Sequence, residues 1–322
     1  MFERLLLRPV AASGVRWLAP VRIANAEVLS EMRRDFLVGA PFTLQAADPE
    51  LFAAFWGAAR ESLIAGPADR AAREAIGTTI SRLNACPYCV DAHAMVLAGA
   101  KEAGLARQAA GDQPASSPYV RWAEATLRPG APELAAPPFA AADTAQMIGT
   151  AVVFHYINRL VNIFIGPSPF PAPTPSWLKR FVGGVTASGI ASRRAAPAEG
   201  RHTPELPADL AWAASNPAVA SAFARLSEAV EAAGARALTD EARSRLRLEI
   251  EAWDGAALSA PADEPQPIER LARLAAFASW RVDEALIKAC RDTGADDRAL
   301  LGAAAWASFT IARRIGARAA MV

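Results

Sequence analysis

The sequence has 322 residues, of which 52% are hydrophobic and 21% are charged, and its formal net charge is +1. This composition excludes a largely disordered chain, and the near-neutral charge gives no electrostatic basis for binding nucleic acid or an anionic membrane. Three cysteines are too few for the disulfide framework of a secreted protein, so we expect a cytoplasmic protein. The longest apolar run near the N-terminus, Leu5–Leu7, is too short for the core of a signal peptide, so none is expected.

Helix-forming residues dominate the whole chain and alternating β-branched runs are scarce, so the sequence predicts an all-α fold. The predicted helices of the first half span 49–64, 67–83, 87–100, 117–127 and 142–164. Those of the second half span 217–234, 239–253, 266–277, 280–293 and 296–317. Asp48-Pro49 and Asn216-Pro217 each predict a helix start, because a capping side chain is followed by proline at the first helical position.

A hydrophobic run, MIGTAVVFHYINRLVNIFIG (147–166), lies at the end of the first half. His155, Asn158 and Arg159 interrupt it, and such polar and charged groups are costly inside a lipid bilayer. We therefore predict a buried amphipathic helix here and no membrane span. His155 is predicted to be a hydrogen-bonded core histidine, with a place in the lining of an active pocket as the alternative.

The proline-rich segment GPSPFPAPTPS (166–176) cannot be helical and predicts a stiff connector between two halves that resemble each other. Three pairs of segments match in the same order: 10–15 with 185–190, 48–61 with 216–229, and 154–163 with 308–317. The third pair aligns Arg159 with Arg313, and we expect both arginines to anchor helix packing through ion pairs.

We predict two related helical domains at 1–166 and 208–322, separated by a Pro-rich connector and a loose segment at 167–207. An ungapped extension from the predicted helix at 239–253 places LSAPADEP (258–265) of the second half opposite CPYCVDAH (86–93) of the first. The second domain is therefore predicted to be a degenerate copy that lacks the dithiol and stands in for a neighbouring subunit.

Two of the three cysteines lie in the stretch NACPYCVDAHAM, residues 84–95. Cys86 directly precedes Pro87, and this pair predicts a helix with Cys86 at the N-cap and proline at the first position. Cys89 then falls in the first turn, where unpaired amide groups and the helix dipole favour a thiolate. His93 follows one turn later on the same face, within reach of the Cys89 thiol proton.

Glu74 lies on the preceding predicted helix. In one straight helix it would be roughly 18 Å from Cys86. Asn84 and the Cys86-Pro87 step predict a break between two helices. The helices can then fold back and bring Glu74 close to His93, directly or through a water molecule.

Three interpretations of this cluster remain open: a redox-active dithiol with a proton relay, a zinc site, or inert buried cysteines beside a core histidine. Structural zinc sites commonly add a second Cys/His pair, which this sequence lacks, although Glu74 could complete a mixed site. Because that second pair is missing, we predict no bound metal.

The spacing of these residues is similar to a known family motif. Glu74, eleven intervening residues and then Cys86-x-x-Cys89-x-x-x-His93 resemble the motif of the alkylhydroperoxidase D-like branch of the carboxymuconolactone decarboxylase superfamily. The segment FHYINRL (154–160) also resembles the Asn-Arg helix that follows the motif in such proteins. The resemblance implies an all-helical, oligomeric protein that carries no bound cofactor.

The resemblance also implies a reaction and a role for each residue. The expected function is thiol-dependent reduction of hydroperoxides, in which Cys89 attacks the peroxide and Cys86 resolves the product into a disulfide. Glu74 and His93 would form the proton relay that activates Cys89. Tyr88 occupies the position at which some members have a further histidine.

The expected partners are a hydroperoxide substrate, a lipoyl-bearing or thioredoxin-like dithiol reductant, and further copies of the chain in a homo-oligomer. Two other functions are compatible with the sequence. One is a non-enzymatic redox sensor or scaffold, and the other is a carboxymuconolactone decarboxylase-like lyase, a class that works without a dithiol.

Overall fold

The structure is a computed structural model, and it describes residues 14–168, 189, 195–198, 204–256 and 266–320. Within these ranges the chain is helical, and its extended pairings are two isolated bridges, Val15 with Ile165 and Ala65 with Ala195. The predicted all-α fold is confirmed.

The helices of the first half lie close to their predicted positions. They are α1 (Ala26–Asp35), α2 (Ala40–Thr43), α3 (Pro49–Ala59), α4 (Arg70–Leu83), α5 (Pro87–Gly99), α6 (Ala103–Ala110), α7 (Pro118–Ala125), α8 (Pro132–Ala135) and α9 (Thr144–Phe164). The sequence prediction missed α1, α2, α6 and α8, because α1 is mostly polar and the other three have eight residues or fewer.

The second half contains α10 (Pro217–Ala237), α11 (Asp240–Ala252), α12 (Pro267–Phe277), α13 (Glu284–Asp292) and α14 (Asp297–Ala320). The predicted helix at 280–293 begins later than expected, since Ser279–Arg281 form a 3-10 turn and the Asp283 side chain caps α13. The two predicted Pro-preceded starts are present: the Asp48 side chain accepts the Leu51 N–H, and Asn216 caps α10.

The predicted helix 49–64 is α-helical only as far as Ala59. After α3, Arg60–Ile64 form a π turn that is buried throughout. The guanidinium of Arg73, on α4, donates to the carbonyls of Ser62 and Ala65 at 3.0 and 2.8 Å. Arg73 therefore pairs the backbone groups around this turn and holds the start of α4 against it.

Helix α9 forms the centre of the molecule. Together with the turn before it, α9 is long and apolar enough to cross a membrane, yet 94% of its most apolar window is buried inside the protein. The prediction of a buried helix is confirmed, but the helix is not amphipathic, because nearly all of its residues are buried against neighbouring helices that include α4 and α14. A side chain at Gly316 would collide with Val152, so this glycine allows α14 to approach α9 closely.

The two halves share one continuous hydrophobic core. The second and third pairs of matching segments fall on α3 with α10 and on α9 with α14, and the helices of each pair pack against one another. The pair 10–15 and 185–190 lies almost entirely outside the described residues, and LSAPADEP (258–265) lies wholly outside them. The three-part domain division therefore stays a prediction.

Helices α11 and α12 follow α10 in the order in which α4 and α5 follow α3. Two ion pairs join α11 to α12: Arg245 with Glu269 at 2.5 Å, and Arg273 with Glu249 at 2.6 Å. Two arginine–glutamate ion pairs therefore join these neighbouring helices of the second half.

Candidate active site

A tight junction joins α4 to α5 and carries Cys86. Ala85 has a φ of +51°, the left-handed conformation in which many helices end. The Ala85 N–H donates to the Arg82 carbonyl at 3.0 Å, and the Cys86 N–H donates to the Ser81 carbonyl at 2.9 Å. Cys86 is then the N-cap of α5 and Pro87 its first residue. The chain therefore reverses within three residues, and α5 packs back onto α4.

The conformation of Ala85 leads to a prediction about stability. Because alanine is strained at a positive φ and glycine is not, Ala85→Gly is expected to raise the free energy of unfolding by about 0.5–1 kcal/mol. Ala100→Gly is the matched control, since Ala100 is also an exposed alanine at the C-terminal end of a helix but has a φ of −80°. Urea denaturation should show a gain for the first variant alone, and equal effects would contradict the assignment.

The two cysteines of the motif are both buried. Cys86 and Cys89 are free, and they are only 1% and 3% exposed. Burial raises the pKa of the Cys86 thiol well above its usual value, and its hydrogen bond with Cys89 raises it further. A hydrogen bond with the Asn158 side chain acts in the opposite direction. Any reaction that needs the Cys86 thiolate therefore depends on this small set of contacts.

Glu74 and His93 are in direct contact, with Oε2 of Glu74 2.6 Å from Nδ1 of His93. The other carboxylate oxygen of Glu74 accepts a 2.7 Å hydrogen bond from Nε of Arg70, one turn earlier on α4. Burial alone would raise the pKa of the Glu74 carboxyl, but Arg70 and then His93 outweigh burial and lower it from 4.5 to about 2. Glu74 is therefore a charged acceptor that fixes the proton of His93 on Nδ1 and leaves Nε2 available.

Packing also fixes the imidazole of His93. The ring of Phe154, on α9, meets it edge-on with the ring centroids 4.6 Å apart. Gly77 provides the space for Phe154, because a Cβ at position 77 would lie 2.8 Å from Cε1 of that ring and closer still to two other ring atoms. The imidazole is thus held by a carboxylate on one side and by an aromatic ring on another, while 16% of its side chain reaches the surface.

Behind Cys86 lies a buried polar network centred on Asn84. The Asn84 amide donates to Nδ1 of His155 at 3.3 Å and to Oδ1 of Asn158 at 3.1 Å. The Thr126 hydroxyl donates to the Ala123 carbonyl at 2.7 Å, so it accepts from Nε2–H of His155 at 3.0 Å. His155 is therefore a neutral, hydrogen-bonded core histidine, and burial, followed by the nearby Arg159, lowers its pKa well below 6.5.

This network extends into the second half of the chain. Arg159 donates to Oδ1 of Asn84 at 3.2 Å and, through Nε, to the Ala276 carbonyl at the end of α12 at 2.9 Å. Asn162 donates to the Asn84 carbonyl at 2.9 Å and to the Ser279 hydroxyl at 3.0 Å. The second half therefore directly contacts the polar network that lies behind Cys86.

The predicted roles of the two matched arginines need one correction. Arg313 does form an ion pair, with Asp209. The hydrogen bonds of Arg159 go instead to an amide and to backbone carbonyls, because its position on α9 is surrounded by helix ends. Burial lowers the pKa of Arg159 from 12.5 to about 9.

Sequence reasoning missed three kinds of partner around the motif. Arg70 is four residues before Glu74, and that helical spacing was a usable signal. Asn158 and Phe154 are far from the motif along the chain, so only the fold reveals their contacts with it. Among the described residues, no group of three or more His, Cys, Asp or Glu side chains is arranged to hold a metal ion.

Together, the fold and the site define an all-α protein that carries a Cys-x-x-Cys dithiol next to a buried glutamate–histidine pair. Residues 49–115 match the model of the carboxymuconolactone decarboxylase family. The chain is also 35% identical over 317 residues to a protein named alkyl hydroperoxide reductase from Mycobacterium tuberculosis, a match that covers 91% of this chain and 90% of that protein. No solved structure matches the chain. The chain belongs to the carboxymuconolactone decarboxylase family, in its alkylhydroperoxidase D-like branch, as its motif predicted.

Proposed function

We propose that the chain is a thiol-dependent peroxidase that reduces hydroperoxides through Cys86 and Cys89, with Glu74 and His93 as the proton relay. The observation that carries this proposal is the 2.6 Å contact between Glu74 and His93, one helical turn after Cys89. A buried charged carboxylate on Nδ1 makes Nε2 of the imidazole a better base for the neighbouring thiol. The name of the Mycobacterium tuberculosis relative supports the same type of chemistry.

In the first step, His93 takes the proton of the Cys89 thiol and the thiolate sulfur attacks the hydroperoxide. A sulfur–oxygen bond forms while the oxygen–oxygen bond breaks, so Cys89 becomes a sulfenic acid. The departing alkoxide takes the proton from His93 and leaves as an alcohol, or as water when hydrogen peroxide is the substrate.

In the second step, the Cys86 thiolate attacks the Cys89 sulfur. A disulfide forms, and the hydroxyl group of the sulfenic acid leaves as water after it gains a proton. A dithiol reductant must then return both cysteines to the reduced state. We propose that this reductant is a lipoyl-bearing or thioredoxin-like protein, and that the chain works in the cytoplasm as a homo-oligomer.

The first experiment is a turnover assay with limiting protein, hydrogen peroxide or an organic hydroperoxide, and excess dihydrolipoamide. The native chain is expected to consume many equivalents of peroxide, and Cys89→Ser is expected to consume none above background. In the same assay without dihydrolipoamide, Cys86→Ser should consume one equivalent of peroxide and retain a sulfenic acid that dimedone labels, because it has no resolving thiol.

Cys290→Ser serves as the control in this assay, since Cys290 is buried on α13 away from the motif and should not affect turnover. Consumption of a single equivalent by the native chain would favour a redox sensor over an enzyme. Consumption of none by any form would overturn the peroxidase proposal and bring the lyase and the scaffold alternatives forward.

A further inference from the structure

Cys86 needs a stabilising contact to react as a thiolate, because its side chain is almost fully buried. Only the thiolate can attack a sulfenic sulfur at a useful rate, and a buried thiolate needs a hydrogen-bond donor. The Asn158 side chain is such a donor, since it forms a hydrogen bond with the Cys86 thiol and is itself completely buried. Asn158 belongs to α9, so it reaches the motif from a different part of the chain.

The surrounding hydrogen bonds fix which way the Asn158 amide points. Its oxygen accepts from Asn84 at 3.1 Å, so its nitrogen must face the other way, toward Ser81 and Cys86. The Ser81 hydroxyl already donates to the Gly77 carbonyl at 2.7 Å, so it can only accept the 3.1 Å bond from the Asn158 nitrogen. The second N–H of that nitrogen is then the donor to the sulfur.

Asn84 is fixed in the same way. Both of its N–H groups are used, one by Asn158 and one by neutral His155, while Arg159 donates to its oxygen. A flipped Asn84 would place its nitrogen against the Arg159 guanidinium and its oxygen against the Asn158 oxygen. The network therefore permits one orientation of Asn158, with a donor directed at Cys86.

We propose that Asn158 is the positioning residue for disulfide closure: its N–H holds the Cys86 sulfur and stabilises the thiolate that attacks oxidised Cys89. This inference rests on the proposed peroxidase function and concerns only its second step. The sulfur–sulfur bond forms, the sulfur–oxygen bond of the sulfenic acid breaks, and the hydroxyl leaves as water. No oxidant beyond the peroxide already consumed is required.

The test separates the two steps in the native chain and in Asn158→Ala. One equivalent of hydrogen peroxide is added without reductant, and samples are quenched with dimedone, which labels sulfenic acid. Mass spectrometry then follows Cys89 oxidation and disulfide formation. In Asn158→Ala, oxidation should proceed within twofold of the native rate, while disulfide closure should slow about tenfold and dimedone labelling should rise, because one hydrogen bond to a charged sulfur is lost.

A second measurement does not depend on catalysis. In a Cys89→Ser background, the rate at which iodoacetamide alkylates Cys86 is measured against pH. Removal of the Asn158 donor should move the midpoint of that titration up by about one pH unit. Ser81→Ala, which removes the acceptor that orients Asn158, should change both readouts in the same direction by a smaller amount.

Thr150→Ala is the matched control, because Thr150 is also buried on α9, two turns before Asn158, and its hydroxyl donates to the Ser62 carbonyl at 3.0 Å instead of contacting the Asn84 network. It should leave both readouts unchanged. Native closure rates and an unshifted titration in Asn158→Ala would overturn the inference even if turnover is normal, as would equal effects in Thr150→Ala. If the native chain forms neither sulfenic acid nor disulfide, the peroxidase proposal fails, whereas the Cys86 titration still decides whether Asn158 acts on the sulfur.

Discussion

The Glu74→Gln variant is expected to react with hydroperoxide about 100-fold more slowly than the native chain at pH 7, the usual effect of losing general acid–base help. Glutamine is similar in size but carries no charge, so it no longer fixes the His93 proton on Nδ1. The variant should also be less stable by about 3 kcal/mol, because the buried Arg70 loses its carboxylate. Single-turnover oxidation of Cys89 and urea denaturation measure the two effects.

The two effects of Glu74→Gln can be separated. Combining it with Arg70→Met should recover stability without recovering the rate, since no unpaired charge then remains buried. Glu124→Gln is the control, because Glu124 also pairs with an arginine but is about one-third exposed, so little change is expected. A Glu74→Gln chain that reacts at the native rate would remove Glu74 from the relay.

The pH dependence of unfolding gives an independent check on Glu74. Its pKa in the folded chain is about 2, below the ordinary value of 4.5. The ionised carboxylate therefore stabilises the native chain above about pH 4.5, and this contribution is lost as the pH falls toward 2. The stability difference between the native chain and Glu74→Gln should shrink over that interval.

Gly77→Ala is expected to lower the free energy of unfolding by about 1–3 kcal/mol, because its methyl group overlaps the Phe154 ring in a packed core. The displaced ring presses on His93, so the rate of Cys89 oxidation should fall at least about tenfold through misplacement of the base. Denaturant midpoints and single-turnover oxidation measure the two losses.

Gly104→Ala is the matched control for this prediction. Gly104 is also helical, but nothing lies within 4 Å of the added Cβ, so this variant should gain about 0.5–1 kcal/mol of stability. Combining Gly77→Ala with Phe154→Leu should restore part of the lost stability by making room. A Gly77→Ala variant as stable and active as the native chain would show that the ring does not constrain His93.

Local sequence rules predicted most of the fold and the part of the site that lies on one helix. Proline and capping residues such as Asp48 and Asn216 marked helix starts that the structure confirms. Helical periodicity was enough to place Cys86, Cys89 and His93 along α5, because their spacing depends only on that helix. The catalytic roles of these residues stay a proposal.

The contacts between helices could not be predicted in the same way. The approach of Glu74 to His93 depends on a left-handed Ala85, a conformation that alanine seldom adopts. The contact between Asn84 and Asn158 joins residues 74 positions apart and exists only because α9 packs beside the α4–α5 junction. The π turn at Arg60–Ile64 depends on tertiary hydrogen bonds from Arg73, which sequence patterns do not report.

The hydrogen bond from Arg159 to the Ala276 carbonyl should persist when the protein is diluted. Both groups belong to one polypeptide, so the second half is present at a fixed effective concentration that does not change with the amount of protein in solution. In an assembly of separate single-domain chains, the same support would dissociate as subunits separate. Because the two halves are covalently linked, each molecule keeps the contacts that support Cys86 at any protein concentration.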